Sequence, residues 1–138
     1  MKKKTRLPTL DEINELVSFL PRLYAEGFSP IVRWEGGNKD RDGIITLPWP
    51  IYDEVVDEFI RIASNECWMD YDYQPEEAIR MFKNDDFIKS AGLDEIKTML
   101  TYFVRGERFS DGHWGGMIEG GYIRRLLLRI AELGSQGA

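Results

Sequence analysis

The sequence predicts a single, mainly α domain of five or six helices with one small two-stranded β-hairpin. Three observations predict it. The chain has 138 residues, the size of one domain. Six segments repeat apolar residues at helical spacing. One stretch, at about residues 31–47, instead sets two short β-rich runs around a polar turn.

Each element has its own signal. Thr9 opens the first helix, Glu12 follows three residues later as a capping box requires, and Asp11 adds acid in the first turn. Ile13, Leu16, Val17, Leu20, Leu23 and Tyr24 form its apolar stripe. Pro21 lacks a backbone donor, so the helix kinks or divides near Leu20, and Gly27 ends it. Ile31 to Glu35 and Gly43 to Leu47 read as the two strands, with residues 36–42 as the loop between them. Pro48-Trp49-Pro50 is expected to stop the second strand and to start the second helix, with Pro50 in its first turn. That helix buries Tyr52, Val55, Val56, Phe59, Ile60 and Ala63, and Cys67 continues the stripe as a small core residue. An aromatic and acidic connector, residues 68–73, leads to a third helix begun by Pro75, with Ala78, Ile79 and Phe82 inward. Asn84 caps a short fourth helix that ends at Gly92. A fifth runs from about Leu93 to Arg105 on Ile96, Met99, Leu100 and Phe103. The last starts near Asp111 or Gly112, ends near Gly134, and turns Ile123, Leu126, Leu127, Ile130 and Leu133 inward. The expected organisation is a basic leader over residues 1–8 that frays, a domain over 9–134, and a frayed tail over 135–138.

Charge narrows the partners. The net charge is -6, yet Lys2, Lys3, Lys4 and Arg6 stand at the start without an acid among them, so the rest of the chain is at -10. An acidic body repels phosphate backbones, and nucleic-acid binding is disfavoured. No apolar h-region follows the basic leader, and no run of 18 apolar residues occurs, so neither a signal peptide nor a membrane span is expected. One cysteine, Cys67, allows no internal disulfide, which suits a reducing cytoplasm.

Chemistry concentrates between the last two helices. Residues 105–114 hold Arg105, Glu107, Arg108, Asp111, the only histidine, His113, and Trp114. Extending the fifth helix's stripe by one turn from Phe103 lands on Glu107, a carboxylate aimed inward at a helix C-terminus. Burial and the dipole both disfavour its charge there, so it needs a partner. Arg105, Arg108, His113, Arg124 and Arg125 are the candidates. Gly112, Gly116 and Gly120 recur every fourth residue and extend the face of Ile123 and Leu127. Together with Gly106 they read as close-packing positions, since a helical glycine costs about 1 kcal/mol unless something approaches it. His113, Glu107 and Asp111 could do acid–base work with Arg108 as electrostatic stabiliser. However, no nucleophile elbow, phosphate-binding Gly-rich loop or zinc motif accompanies them.

Asn38, Asp40 and Asp42 followed by Gly43 match the first half of a calcium loop. The twelfth position, where the bidentate Glu belongs, is Trp49, and the residues are read as a polar hairpin tip with no metal site.

The run from Leu100 to Phe109, with Asp111-Gly112-His113-Trp114 after it and Leu126 to Leu133 at the end, resembles a family of small uncharacterised prokaryotic proteins, a domain of unknown function. The likeness runs from about Pro48 onward and is most specific at Gly-Glu-Arg-Phe and Gly-His-Trp. It implies a soluble prokaryotic protein and supplies no activity or cofactor. The leading functional expectation is a cytoplasmic binding module whose site at residues 105–114 takes a small polar ligand or a protein partner. A small hydrolase or transferase is the first alternative. A structural junction, with function in a homo-oligomeric surface, is the second.

Overall fold

The computed structural model describes residues 4–39, 41–45 and 47–136. Its architecture is mainly helical with one antiparallel two-stranded sheet, as the sequence predicts. Two of the six expected helices are divided. The first becomes α1 (Leu10–Val17) and α2 (Leu20–Leu23), because Pro21 sits in the first turn of a new helix rather than inside an old one. The last becomes α7 (His113–Glu119) and α8 (Tyr122–Gln136). Gly120 closes α7, and Gly121, at φ +82°, takes the left-handed turn that separates the two.

The hairpin differs more. β1 (Ile31–Glu35) pairs with β2 (Trp49–Tyr52), not with residues 43–47. Arg33 lies opposite Ile51, Trp34 opposite Pro50 and Glu35 opposite Trp49, and an isolated bridge from Lys39 to Ile45 continues the same register toward the tip. The sheet is therefore the base of a longer arm. Pro50 does not open the helix, because an edge strand has positions that need no N–H and tolerates proline there. Asp53 is the stronger start signal. Its carboxylate accepts the Val55 N–H at 2.9 Å and begins α3 at Glu54–Ala63. Tyr52 consequently leaves the helix stripe and joins the strand. Of the calcium-loop residues, Asp40 lies outside the described residues, and Asn38 and Asp42 are exposed near the arm's tip.

The second helix ends at Ala63, before Cys67, which falls in a separate short turn, and the three helices after it follow expectation. A 3-10 turn at Glu66–Trp68 is capped by Asn65. Then come α4 (Pro75–Phe82), α5 (Asp85–Ser90) with Asn84 as cap, and α6 (Leu93–Gly106). α6 is the central helix. Ile96, Met99, Leu100 and Phe103 are fully buried, and Lys97, Thr98 and Thr101 beside them are nearly so. Phe103 meets Phe59 at 5.9 Å between ring centroids, and Phe59 meets Phe19 at 5.3 Å, an aromatic file through the core. α1 lies on α8 and ties the start of the chain to its far end. Among the described residues no helix is long and apolar enough to cross a membrane.

Thr5 and Arg6 are also tied down. The buried Lys97 ammonium donates to the Thr5 hydroxyl (2.7 Å), the Arg6 carbonyl (2.8 Å) and the Thr5 carbonyl (3.4 Å). Residues 4–6 of the leader expected to fray thus run across α6. Nearby, Asp70, only 6% exposed, accepts the Thr98 hydroxyl at 2.7 Å, and its backbone N–H donates to Thr101 at 2.8 Å. Sequence patterning missed this polar cluster. It sits on a helix buried on more than one face, where a stripe analysis assigns the off-stripe positions to solvent.

Candidate functional site

The Glu107 side chain points inward, as the stripe predicts, but it meets no arginine. Glu107 caps the C-terminus of α6. From there its carboxylate reaches the first turn of the next helix. Oε1 accepts the Trp114 N–H at 2.8 Å, and Oε2 accepts the Gly112 N–H at 2.8 Å. Oε1 also accepts the Tyr52 hydroxyl at 2.8 Å. The Tyr52 oxygen in turn accepts the Gly115 N–H at 3.2 Å. One carboxylate and one phenol from two distant elements therefore satisfy three amides that α7 cannot satisfy itself. The cap is charge-matched, since an anion at a helix N-terminus faces the positive end of its dipole. Gly112, at φ +89°, supplies the left-handed bend that turns the chain into α7, a conformation closed to most side chains.

This arrangement corrects the choice of partner. The sequence offers Arg105, Arg108, Arg124, Arg125 and His113 as partners, arginine being suited because its fork binds carboxylates. The structure uses amides and a phenol, which neutralise a charge near a helix end without burying a second one. Burial, reinforced by the Glu107 charge and opposed by the Gly115 amide, keeps the Tyr52 phenol protonated well above its usual range. The Tyr52 ring packs on Trp114 at 5.2 Å between centroids, and the indole N–H donates to the Val104 carbonyl at 3.0 Å.

His113 starts α7 on the opposite side. Its ring stands edge-on to Tyr102 at 5.1 Å and lies near Phe103. Nε2 is buried with no hydrogen-bond partner among the described residues and abuts the Gly106 backbone. Burial lowers the His113 pKa, against the opposing pull of Glu107 and the Tyr102 carbonyl. A neutral imidazole pressed on a glycine is placed for packing rather than proton transfer. At Gly106 a Cβ would enter the His113 ring. The other glycines separate. Gly112 is a bend where a Cβ would also meet the Trp34 ring at 3.1 Å, Gly120 ends α7 where a Cβ would meet the Tyr122 ring at 3.0 Å, and a Cβ on Gly116 would meet nothing within 4 Å. None belongs to α8, so they do not extend the face of Ile123 and Leu127.

Two shallow clefts flank the junction. One, of about 450 Å³, is lined by Ser64, Met69, Tyr71, Val104, Arg105, Glu107, Arg108 and Trp114. The other, of about 350 Å³, is largely apolar and holds Tyr73, Tyr102, Phe109 and His113. The Arg105 guanidinium lies over both Tyr71 and Tyr73, at 5.7 and 5.6 Å from the ring centroids. Among the described residues neither Arg105 nor Arg108 forms an ion pair. Arg124 is elsewhere and exposed; its backbone N–H donates to Tyr24 at 2.9 Å. Arg125 pairs with Asp85 at 3.5 Å, and neither lines the cleft. Asp111 is exposed beside the junction and makes no part of the cap. Among the described residues no three His, Cys, Asp or Glu side chains converge as a metal site would require. Cys67 is fully buried, and burial pushes its thiol up to about 11, which fits a core residue rather than a nucleophile. Tyr52 is the contributor that sequence reasoning missed. Its only signal was the proline two residues before it, which marks an edge strand as readily as a helix start.

The chain belongs to a family of unknown function, DUF6508, whose pattern matches residues 8–136. The match begins well before Pro48, so it takes in α1, α2 and the arm as well as the junction. No curated protein and no solved structure matches the chain.

Proposed function

We propose that this protein is a small-ligand binding module, and that its site is the cleft between the end of α6, the connector after α3 and the start of α7. The ligand class is a small organic anion carrying a planar ring. One observation carries this reading. Arg105 and Arg108 line the cleft with no carboxylate paired to either among the described residues, in a chain where acids outnumber bases by 24 to 18. An unpaired arginine in such an acidic field attracts an anion, and its fork suits carboxylate or phosphate oxygens. Tyr71 and Trp114 supply ring faces at the same cleft.

Acid–base catalysis has less support. The Glu107 oxygens are occupied by three donors, and His113 lines a different cleft. Titration calorimetry with a series of aromatic carboxylates and nucleoside monophosphates tests the proposal. Saturable binding that weakens about tenfold in both Arg105→Ala and Arg108→Ala supports it. Binding that neither variant changes, or none at millimolar ligand, overturns it.

A further inference from the structure

The arm carries a surface that the cleft does not use. Val32, Trp34, Ile45, Leu47 and Trp49 are 55, 50, 64, 81 and 41% exposed along it. A two-stranded sheet is marginal in water, and an arm with this much apolar side chain in solvent is an interaction surface by default.

Its two edges are not equivalent. Pro48 and Pro50 blunt the β2 edge, since proline cannot donate to an incoming strand. β1 contains no proline, and among the described residues its cross-strand pairing is to β2 alone. The register fixes which groups it offers. Trp34 stands opposite Pro50, which has no N–H, so these two cannot exchange a pair of backbone bonds. Antiparallel alternation then turns the N–H and C=O of Trp34 toward the open edge.

We propose that a second copy of this chain pairs antiparallel with β1 across a two-fold axis at Trp34. At that register Trp34 exchanges both backbone bonds with the partner's Trp34. Arg33 comes opposite the partner's Glu35, and Glu35 opposite the partner's Arg33. Within one chain Arg33 and Glu35 already share a face, with the guanidinium 2.9 Å from the carboxylate. The sequence Arg-Trp-Glu is thus charge-complementary to itself when reversed. This complementarity favours a second copy over an unrelated strand, because an isologous contact must match its own inverse. The pairing sets the two Trp34 side chains beside each other on one face of the joined sheet, while Trp49, opposite Glu35, stays on the other face and on the far strand.

Analytical ultracentrifugation of the full chain at about 100 µM reads the result. The expected species is a dimer of the 16.0 kDa chain. Arg33→Glu and Glu35→Arg each place like charges at both crossings, and each should weaken the dimer about tenfold. A one-to-one mixture of the two variants restores it, since glutamates at both positions of one copy then face arginines in the other. Circular dichroism checks that each variant keeps its helices. A monomeric wild type overturns the proposal. So does a dimer that the single substitutions leave intact, or a mixture that fails to recover.

Discussion

Removing the Glu107 carboxylate is the sharpest test of how the junction is held. Glu107→Ala leaves the Gly112 and Trp114 amides and the Tyr52 hydroxyl without an acceptor, three donors in one half-buried place. A hydrogen bond to a charged acceptor contributes about 1.5–3 kcal/mol, and losing a helix N-cap costs about 0.5–2 kcal/mol. The three share one acceptor and relax together, so their losses do not add. About 3 kcal/mol is the expected destabilisation. For a chain of 138 residues that lowers Tm by roughly 8–15 °C. Glu107→Gln retains one acceptor oxygen but sets an NH2 against an N–H, and should lose about half as much. Tyr52→Phe should cost about 1–1.5 kcal/mol. A double-mutant cycle between the two positions should show coupling near 1 kcal/mol. Urea unfolding followed by circular dichroism measures the wild type and all four variants. A Glu107→Ala variant within 0.5 kcal/mol of wild type, or a cycle without coupling, would refute the capping argument.

Two further outcomes follow from the same region. Burial lowers the His113 pKa below its ordinary 6.5, so the unfolded chain takes the proton more readily than the folded one. This contribution to stability is complete above pH 6.5 and is lost as pH falls below it. Between pH 7.5 and 5.5, wild type should therefore lose more stability than His113→Phe in matched denaturant titrations; equal slopes would remove the argument. Gly106→Ala drives a methyl group into the His113 ring, which Tyr102 and Phe103 back, and should cost about 2–3 kcal/mol by calorimetry, whereas Gly116→Ala, with open space at the Cβ, should be neutral or slightly stabilising.

The helices and their buried faces were legible in the sequence because each carries its own start signal and stripe. Thr9 with Glu12, Asn84, Pro75 and the Ile96–Leu100–Phe103 series act within a few residues of themselves, and the structure uses each of them as expected. Direction was legible too. The stripe correctly turned Glu107 inward. Its partners were not, because Tyr52 is 55 residues away and its hydroxyl reaches Glu107 only after β2 replaces the first turn of a helix. That replacement turns on Pro50, a residue with two honest meanings whose choice depends on Trp34 across the sheet. Lys97 illustrates the other limit. A lysine one place off an apolar stripe is normally solvated, and only the return of Thr5 and Arg6 over α6 buries it. Local periodicity carries no information about a segment 92 residues earlier.

The contact between α1 and α8 bears on the order in which the chain becomes a protein. Ile13 lies against Gly134, where an added methyl group would come within 2.9 Å of it, and the Tyr24 hydroxyl accepts the N–H of Arg124, 100 residues later. During synthesis α1 emerges with an apolar face that α3 covers only in part. Pairing must wait until α8 has left the ribosome, so this fold cannot be completed stepwise from its beginning. A nascent chain cut short of α8 would lack the surface that Ile13 packs on, and it is this truncated species, rather than the finished domain, that chaperones and proteases would recognise.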